Sequence, residues 1–428
     1  MVAEDEEGWV DFRVQGSAFS VQRSETEGQL GSMRRLSLAA VVVVLTIATS
    51  LVVAQGGGRG SDRGQRVRPG EPCPAGMTEV RPGNCRPPER RPPSIVDYRS
   101  KSTVVAEDHL VPKAKFPVVD IHSHQAVNAG NMDRLIQEMD ALNLRVLVNL
   151  SGGSGDRLKQ NVAFIRNSPH KDRFRLFANV AFDGAGAPGW SQKAAAQLEA
   201  ALKNGAIGLK VYKSLGLHDT KADGSRLKID DPELDPIWQV CARMNVPVLI
   251  HTADPAQFFD PIDYTNERWL ELALFPNRHY PSDRFPSFET LMAERDRMFA
   301  RNPKTRFIAA HFGWHGNDLG RAARMLDSMP NVYLEVGAVL YEFGRQPRGA
   351  RELFTKYQDR VLFGKDSYQP GEYPYYFRVF ETNDEYFDYY RDYHAFWKLY
   401  GMGLSDAVLK KLYYGNAVKV APGLPQAG

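Results

Sequence analysis

The sequence predicts an α/β protein whose main part, residues 104–421, is a closed (β/α)8 barrel. Three observations carry this reading. Eight short apolar runs follow one another, at 116–121, 145–150, 174–180, 206–212, 246–250, 305–310, 331–336 and 361–364. Amphipathic helical patterns lie between them, and the alternation fills about 300 residues, the length that eight parallel βα units need. An open doubly wound sheet is the alternative, but no GxGxxG fingerprint accompanies it.

The elements follow in chain order. Residues 1–32 are polar and acidic, with Glu4, Asp5, Glu6, Glu7, Asp11, Glu25 and Glu27 against Arg13 and Arg23. Met33-Arg34-Arg35 then precedes an apolar run over 36–54 that ends in Val52-Val53-Ala54. A basic start, an apolar stretch and a small-residue end make an export signal over 33–54, with Met33 rather than Met1 as its natural start. The alternative is a membrane anchor by residues 36–54, since about 19 apolar residues can span a bilayer. Either reading places the rest of the chain outside the cytoplasm, periplasmic or extracellular.

Residues 55–103 read as a disordered linker rich in Gly, Pro and Arg, for example Arg90-Arg91-Pro92-Pro93. Such a segment has too little apolar surface for a core. Cys73 and Cys85 lie within it and are expected to pair in an oxidising compartment. Cys241 sits in an apolar helical context and reads as core. Residues 422–428 read as a tail.

Within the barrel the clearest helix places Met132, Leu135, Ile136 and Met139 on one face, and Leu142 continues it. Further helices are expected over 192–203, 233–244, 287–301, 318–328 and 350–357. Two long insertions follow strands. One covers 252–304 and includes Phe258, Phe259, Tyr264, Trp269 and Phe275. The other runs from 366 to about 400 and is crowded with Tyr, Phe and Trp. Both belong to the rim where barrel loops set specificity. They read as an aromatic pocket for a ring-bearing substrate or, preferably, as a helical cap or the interface of a homo-oligomer. The net charge of +3, from 54 basic and 51 acidic residues, offers no footprint for nucleic acid.

Titratable residues gather at the strand ends. The first run closes on Asp120-Ile121-His122-Ser123-His124. Residues two apart in a strand share a face, so His122 and His124 point together, with Asp120 on the same side. The fifth run ends at His251, the sixth at His311 and the eighth at Lys365-Asp366. Only ten His occur in the chain, and four fall where a barrel converges its strand ends on one rim. Imidazoles with a carboxylate suit zinc and leave a position for water, whose pKa falls from about 15.7 towards 7 on the metal.

From Val118 to Ala417 the chain resembles the amidohydrolase superfamily, in the branch that holds metal-dependent hydrolases, lactonases and non-oxidative decarboxylases. The carriers are Asp120-Ile121-His122-Ser123-His124, Val248-Leu249-Ile250-His251, Ala309-Ala310-His311-Phe312-Gly313, Leu362-Phe363-Gly364-Lys365-Asp366 and Leu412-Tyr413-Tyr414-Gly415-Asn416-Ala417. The resemblance implies that His122, His124, His251 and Asp366 bind a divalent metal, most often Zn2+, and that His311 sits beside it as an electrostatic or acid–base group. Asp366 would accept the proton of the attacking water and pass it on, and His311 would stabilise an oxyanion. Lys365 departs from the pattern, where relatives usually carry a small hydroxyl residue.

Lys210, in Leu209-Lys210-Val211, reads as a substrate contact, as a carboxylated bridge between two metals, or as a structural ion pair. Trp314 and His315 read as substrate contacts, with plain solvation the alternative for His315. Glu335 would orient a ligand if it faces inward. The leading function is a metal-dependent hydrolase of an amide, lactone or ester. The alternatives are a metal-dependent carboxy-lyase on a small aromatic or unsaturated acid, and a barrel that binds a small ligand without catalysis.

Overall fold

The computed structural model describes residues 65–68, 70–87, 89, 100–263, 265–394 and 396–426. The expected polar extension, the export or anchor segment and Tyr264 lie outside the described residues. Two compact units divide between Arg91 and Pro92.

The first unit contains a small antiparallel sheet of Gln65–Arg66, Thr78–Arg81 and Asn84–Arg86, with the last strand in the middle. Cys73 and Cys85 are bonded, and Cys85 is buried. The reading of a disordered linker over 55–103 is therefore corrected where this sheet stands. Apolar surface is scarce here, as the composition indicates, and the cross-link supplies what a core does not. Closing a loop of this size removes roughly 3 kcal/mol of unfolded-chain entropy in the loop-closure account.

The second unit is the barrel. Its strands are β1 (Val118–Ser123), β2 (Leu144–Asn149), β3 (Phe174–Leu176, resuming as Ala178–Asn179), β4 (Leu209–Val211), β5 (Val248–Ile250), β6 (Phe307–Ala309), β7 (Val332–Glu335) and β8 (Val361–Leu362). Each pairs in parallel with the next. β3 breaks at Phe177, and the break carries the ladder from β2 on one side to β4 on the other: Phe177 N donates to Asn149 O and Ala178 N to Gly208 O. The ring closes where Ile121 N donates to Phe363 O at 3.2 Å and Ser123 bridges Asp366 in parallel. That closure excludes the open sheet.

Val119, Ile121, Val146, Val148, Phe177, Leu249, Ile308 and Leu362 fill the interior as one cluster. A second cluster lies between the strands and the helices α1 (Met132–Leu142), α2 (Gly155–Arg166), α3 (Trp190–Lys203), α4 (Asp235–Arg243), α5 (Phe288–Arg301), α6 (Leu319–Ser328) and α7 (Pro347–Lys356). Strands apolar on both faces are what a sheet covered on both sides requires. Tyr414, Ala417, Val420, Ala421 and Leu424 join the interior cluster, and Asn416 Nδ2 bonds the carbonyls of Gln358 and Val361. The chain over 412–424 thus floors the barrel at the starts of its strands. Leu424 belongs to the core rather than to the tail expected over 422–428. The insertion after β8 begins with helix α8 (Tyr373–Glu381).

Candidate metal centre

The opposite rim gathers the titratable residues. β1 carries His122 at its end and His124 one residue beyond, β4 carries Lys210, and His251 and His311 follow β5 and β6. Val119 and Ile121 face the interior, so strict alternation would turn His122 outward. A register irregularity between Asp120 and Ser123 turns it back. Asp120 is accordingly not on the face of His122, which corrects the reading from alternation. Its Oδ1 accepts the amides of His122 and Lys365, and its Oδ2 accepts the Tyr373 hydroxyl at 2.6 Å.

His122 Nε2 stands 3.3 Å from Asp366 Oδ1, and His124 Nε2 stands 3.5 Å from the same oxygen. Among the described residues, His122, His311 and Asp366 offer donor atoms that all lie within 4.8 Å of one another. His251 lies next to this set, with Nδ1 3.3 Å from His311 Nε2. Its Nε2 is buried without a hydrogen-bond partner, 3.6 Å from Asp254 Oδ1. The structure thus puts His311 among the closest donors and His251 just outside them.

Glu335, the last residue of β7, is the hub beneath the centre. Its Oε1 accepts His122 Nδ1 at 2.9 Å and the His311 amide at 2.5 Å, and its Oε2 accepts the Gly337 amide at 2.6 Å. Gly364 gives this carboxylate room: a Cβ there would collide with Glu335 and lie 2.8 Å from His122 Cβ. The carboxylate as acceptor holds the Nδ1 proton of His122 and turns Nε2 towards the centre, where a metal would take the place of its proton. The Gly337 carbonyl, 2.8 Å from His311 Nδ1, does the same for His311.

The electrostatics suit a cation. Burial opposes the charged form of His122, yet the Glu335 carboxylate outweighs it and lifts the pKa to about 9. Burial lowers His311 to about 4 and, with the neighbouring Lys210 ammonium, lowers His124; it holds His251 well down too. Burial would raise Asp366, but the imidazoles, His122 first, hold it well below the usual carboxylate range. Three imidazoles held uncharged (His124, His251 and His311), a fourth, His122, whose Nε2 proton a metal would displace, and one ionised carboxylate form a donor set that fits a divalent metal.

β6 ends in an unusual turn. His311, Phe312, Gly313 and Trp314 take φ values of 55, 59, 60 and 55°. Three of them are not glycine, so the turn is strained and must be held from outside. Residues three apart eclipse in so tight a turn, and Trp314 stacks on His311 with ring centroids 4.7 Å apart. Arg295, buried in α5, donates to Gly313 O at 2.7 Å and contacts His315 Nε2 at 3.0 Å. Trp314 therefore lies against the centre, whereas His315 is buried beside Arg295.

Lys210 Nζ is buried 3.4 Å from His122 Nε2 and 5.5 Å from the Tyr212 ring centroid. Sequence reasoning missed Ser151, whose Oγ lies 2.7 Å from His124 Nδ1 and 3.1 Å from Tyr212 OH. It also missed Asp254, which holds Lys213 and Tyr280 beside His251. Asp254 follows His251 by three residues, a spacing that could have drawn attention to it.

The insertions are tied together as a cap. Arg268 bonds Glu271 at 2.7 Å, lies 2.8 Å from His394 Nε2, and covers the Tyr341 and Trp397 rings at 4.3 and 5.1 Å. Of the donor side chains, His124 is the most open, at 30%; His122 is at 0% and Asp366 at 9%. The centre is therefore most accessible at His124.

A family model described as amidohydrolase matches residues 170–421, more than half of the chain. No curated protein matches. Among solved structures, the chain is similar to a dihydroxybenzoic acid decarboxylase from Polaromonas sp. with bound manganese and an inhibitor, at 15% identity over 72% of this chain and 97% of that one, TM-score 0.46. It is also similar to a 2,6-dihydroxybenzoate decarboxylase from Rhizobium, at 14% identity over 72% and 99%, TM-score 0.43. A third is a 4-oxalomesaconate hydratase from Rhodopseudomonas palustris, at 14% identity over 72% and 96%, TM-score 0.44.

Proposed function

The chain belongs to the amidohydrolase family, and we propose that it is a metal-dependent hydrolase of an amide, lactone or ester in a small molecule. The observation that carries this is the meeting of His122, His311 and Asp366 within 4.8 Å, with His124 and His251 at its edge. His122, His124, His251 and Asp366 would hold one divalent ion, with Zn2+ the first choice for this donor set. Such an ion supplies a lowered pKa for water and polarisation of the carbonyl.

The chain's own residues do the rest. Glu335 fixes the His122 ring so that Nε2 faces the centre. Asp366, ionised, accepts the proton of the attacking water and returns it to the leaving group. His311 is neutral, with its Nδ1 proton held by Gly337 O. Its Nε2 accepts a hydrogen bond while the water's proton goes to Asp366, and it would stabilise an oxyanion only as a protonated ring. Trp314, stacked on His311, keeps water from that side of the ring.

A second reading, a carboxy-lyase on a small aromatic or unsaturated acid, is favoured by Lys210. Its ammonium stands at the centre, where it can hold a substrate carboxylate. This supports Lys210 as a substrate contact rather than a bridge between two metals. The Cys73–Cys85 bond supports action outside the cytoplasm.

Metal analysis with a screen of lactones, amides and aromatic acids tests the proposal. One metal per chain is expected, with proton release from a lactone or amine release from an amide. CO2 release from an aromatic acid would favour the lyase, and turnover without metal would overturn both readings.

A further inference from the structure

Lys365 is completely buried next to Asp366. Taking an ammonium out of water is costly, and an apolar side chain of the same length would fill the space without that cost. The contacts show what the charge does there. Nζ donates to Ser367 O at 3.1 Å and to the Glu372 carboxylate. Three rings surround it, Tyr373, Tyr376 and Tyr390, with centroids 5.9, 5.6 and 5.7 Å away. Glu372 and all three tyrosines belong to the insertion after β8.

The bond to Ser367 O spans Asp366. Asp366 has φ 79°, a left-handed conformation that a side chain rarely adopts, and its amide donates to His122 O at 2.6 Å. A tether from the preceding side chain to the following carbonyl closes the turn around that residue. The Lys365 amide is itself held by Asp120 Oδ1, and Tyr373 holds the other oxygen of Asp120. Lys365 thus joins the end of β8 to the end of β1 through its amide and to the start of the cap through its ammonium.

We propose that Lys365 is a positioning residue whose caged ammonium pins the aromatic cap to the end of β8 and holds Asp366 in its left-handed turn, aimed at the metal centre. This rests on the reading of that centre as a divalent-metal site. The cage is selective for a cation because ring faces and a carboxylate meet the ammonium on several sides. Partners that orient a metal ligand typically set affinity or activity by about 10- to 100-fold.

The test uses the full chain with Lys365→Met, which keeps the length of the side chain and suits the tyrosine cage. Zn2+ affinity is read by competition with a chelator, and the unfolding temperature is read on the metal-free protein. We expect about 10- to 100-fold weaker Zn2+ binding by a variant that is still folded, with a lower metal-free unfolding temperature because Glu372 and Ser367 O lose their buried donor. Lys365→Gln, which keeps an N–H donor for Ser367 O, recovers part of the loss. Unchanged affinity in Lys365→Met overturns the positioning role alone, because the parent still binds. Failure of the parent chain to bind Zn2+ overturns the metal reading and this inference with it. Failure of both variants to fold makes Lys365 a packing residue and also overturns the proposal.

Discussion

His122 Nδ1 and Glu335 Oε1 meet at 2.9 Å with both side chains fully buried, and the same oxygen holds the His311 amide. One carboxylate from β7 thus fixes groups on β1 and β6 together. Glu335→Gln keeps the shape but weakens the hold on the His122 tautomer. Zn2+ affinity is expected to fall about 10- to 100-fold, read by chelator competition. Unaltered affinity would show that His122 is oriented by packing alone.

His311→Ala separates the chemistry from metal binding. Turnover is expected to fall roughly 100- to 1,000-fold, as when a group stabilising an oxyanion is removed, while the metal content stays at one per chain. Loss of the metal together with turnover would make His311 a ligand.

Lys210→Met distinguishes the roles left open for that lysine. A substrate contact predicts a raised KM for carboxylate-bearing substrates and one metal in both parent and variant. Two metals in the parent, falling to one in the variant, would establish the bridge instead.

Arg295→Met leaves Gly313 O and His315 Nε2 without their buried donor. Bonds from a charged group are worth about 1.5–3 kcal/mol each, so the loss of two should lower stability by about 3–6 kcal/mol, read from urea unfolding. Turnover should fall further than the folded fraction does, because the turn also aims His311. A fall in parallel with the folded fraction would reduce Arg295 to a packing role.

Glu271 predicts an acid limit for the cap. Burial alone would raise its pKa, but the His394 ring and the Arg268 guanidinium hold it down from 4.5 to about 2. A lowered carboxylate pKa stabilises the fold fully above pH 4.5. That contribution, about 3 kcal/mol, is lost as pH falls from there through 2. Unfolding measured from pH 6 to pH 3 should show this slope in the parent and not in Glu271→Gln. The same slope in both proteins would assign it to other carboxylates.

The barrel was legible because its signals are repetitive. Eight buried strands must each be apolar, and the four rim histidines end three of these runs at one predictable place. α2 was not legible: only Leu158 and Ile165 are buried along it, so its face is too thin to stand out. The β1 irregularity escaped because periodicity assumes a regular strand, and Asp120 was misplaced by that assumption. The left-handed turn after β6 runs against the preference of His, Phe and Trp, and only tertiary clamps such as Arg295 sustain it. Glu335 reads from the sequence as a group that would orient a ligand if it faces inward, and its inward position and three bonds depend on neighbours far away in the chain.

The ring of strands has one seam, where 118–123 meets 361–366. About 240 residues separate its two sides, so among neighbouring barrel strands this pairing closes the longest loop. A polypeptide emerging N-terminus first carries β1 with a bare edge until β8 arrives. The metal centre lies on that seam, since Asp366 reaches His122 and His124 only when the edges join. A bound ion would therefore brace the two sides of the seam against each other, and stripping it should loosen the molecule first along this line.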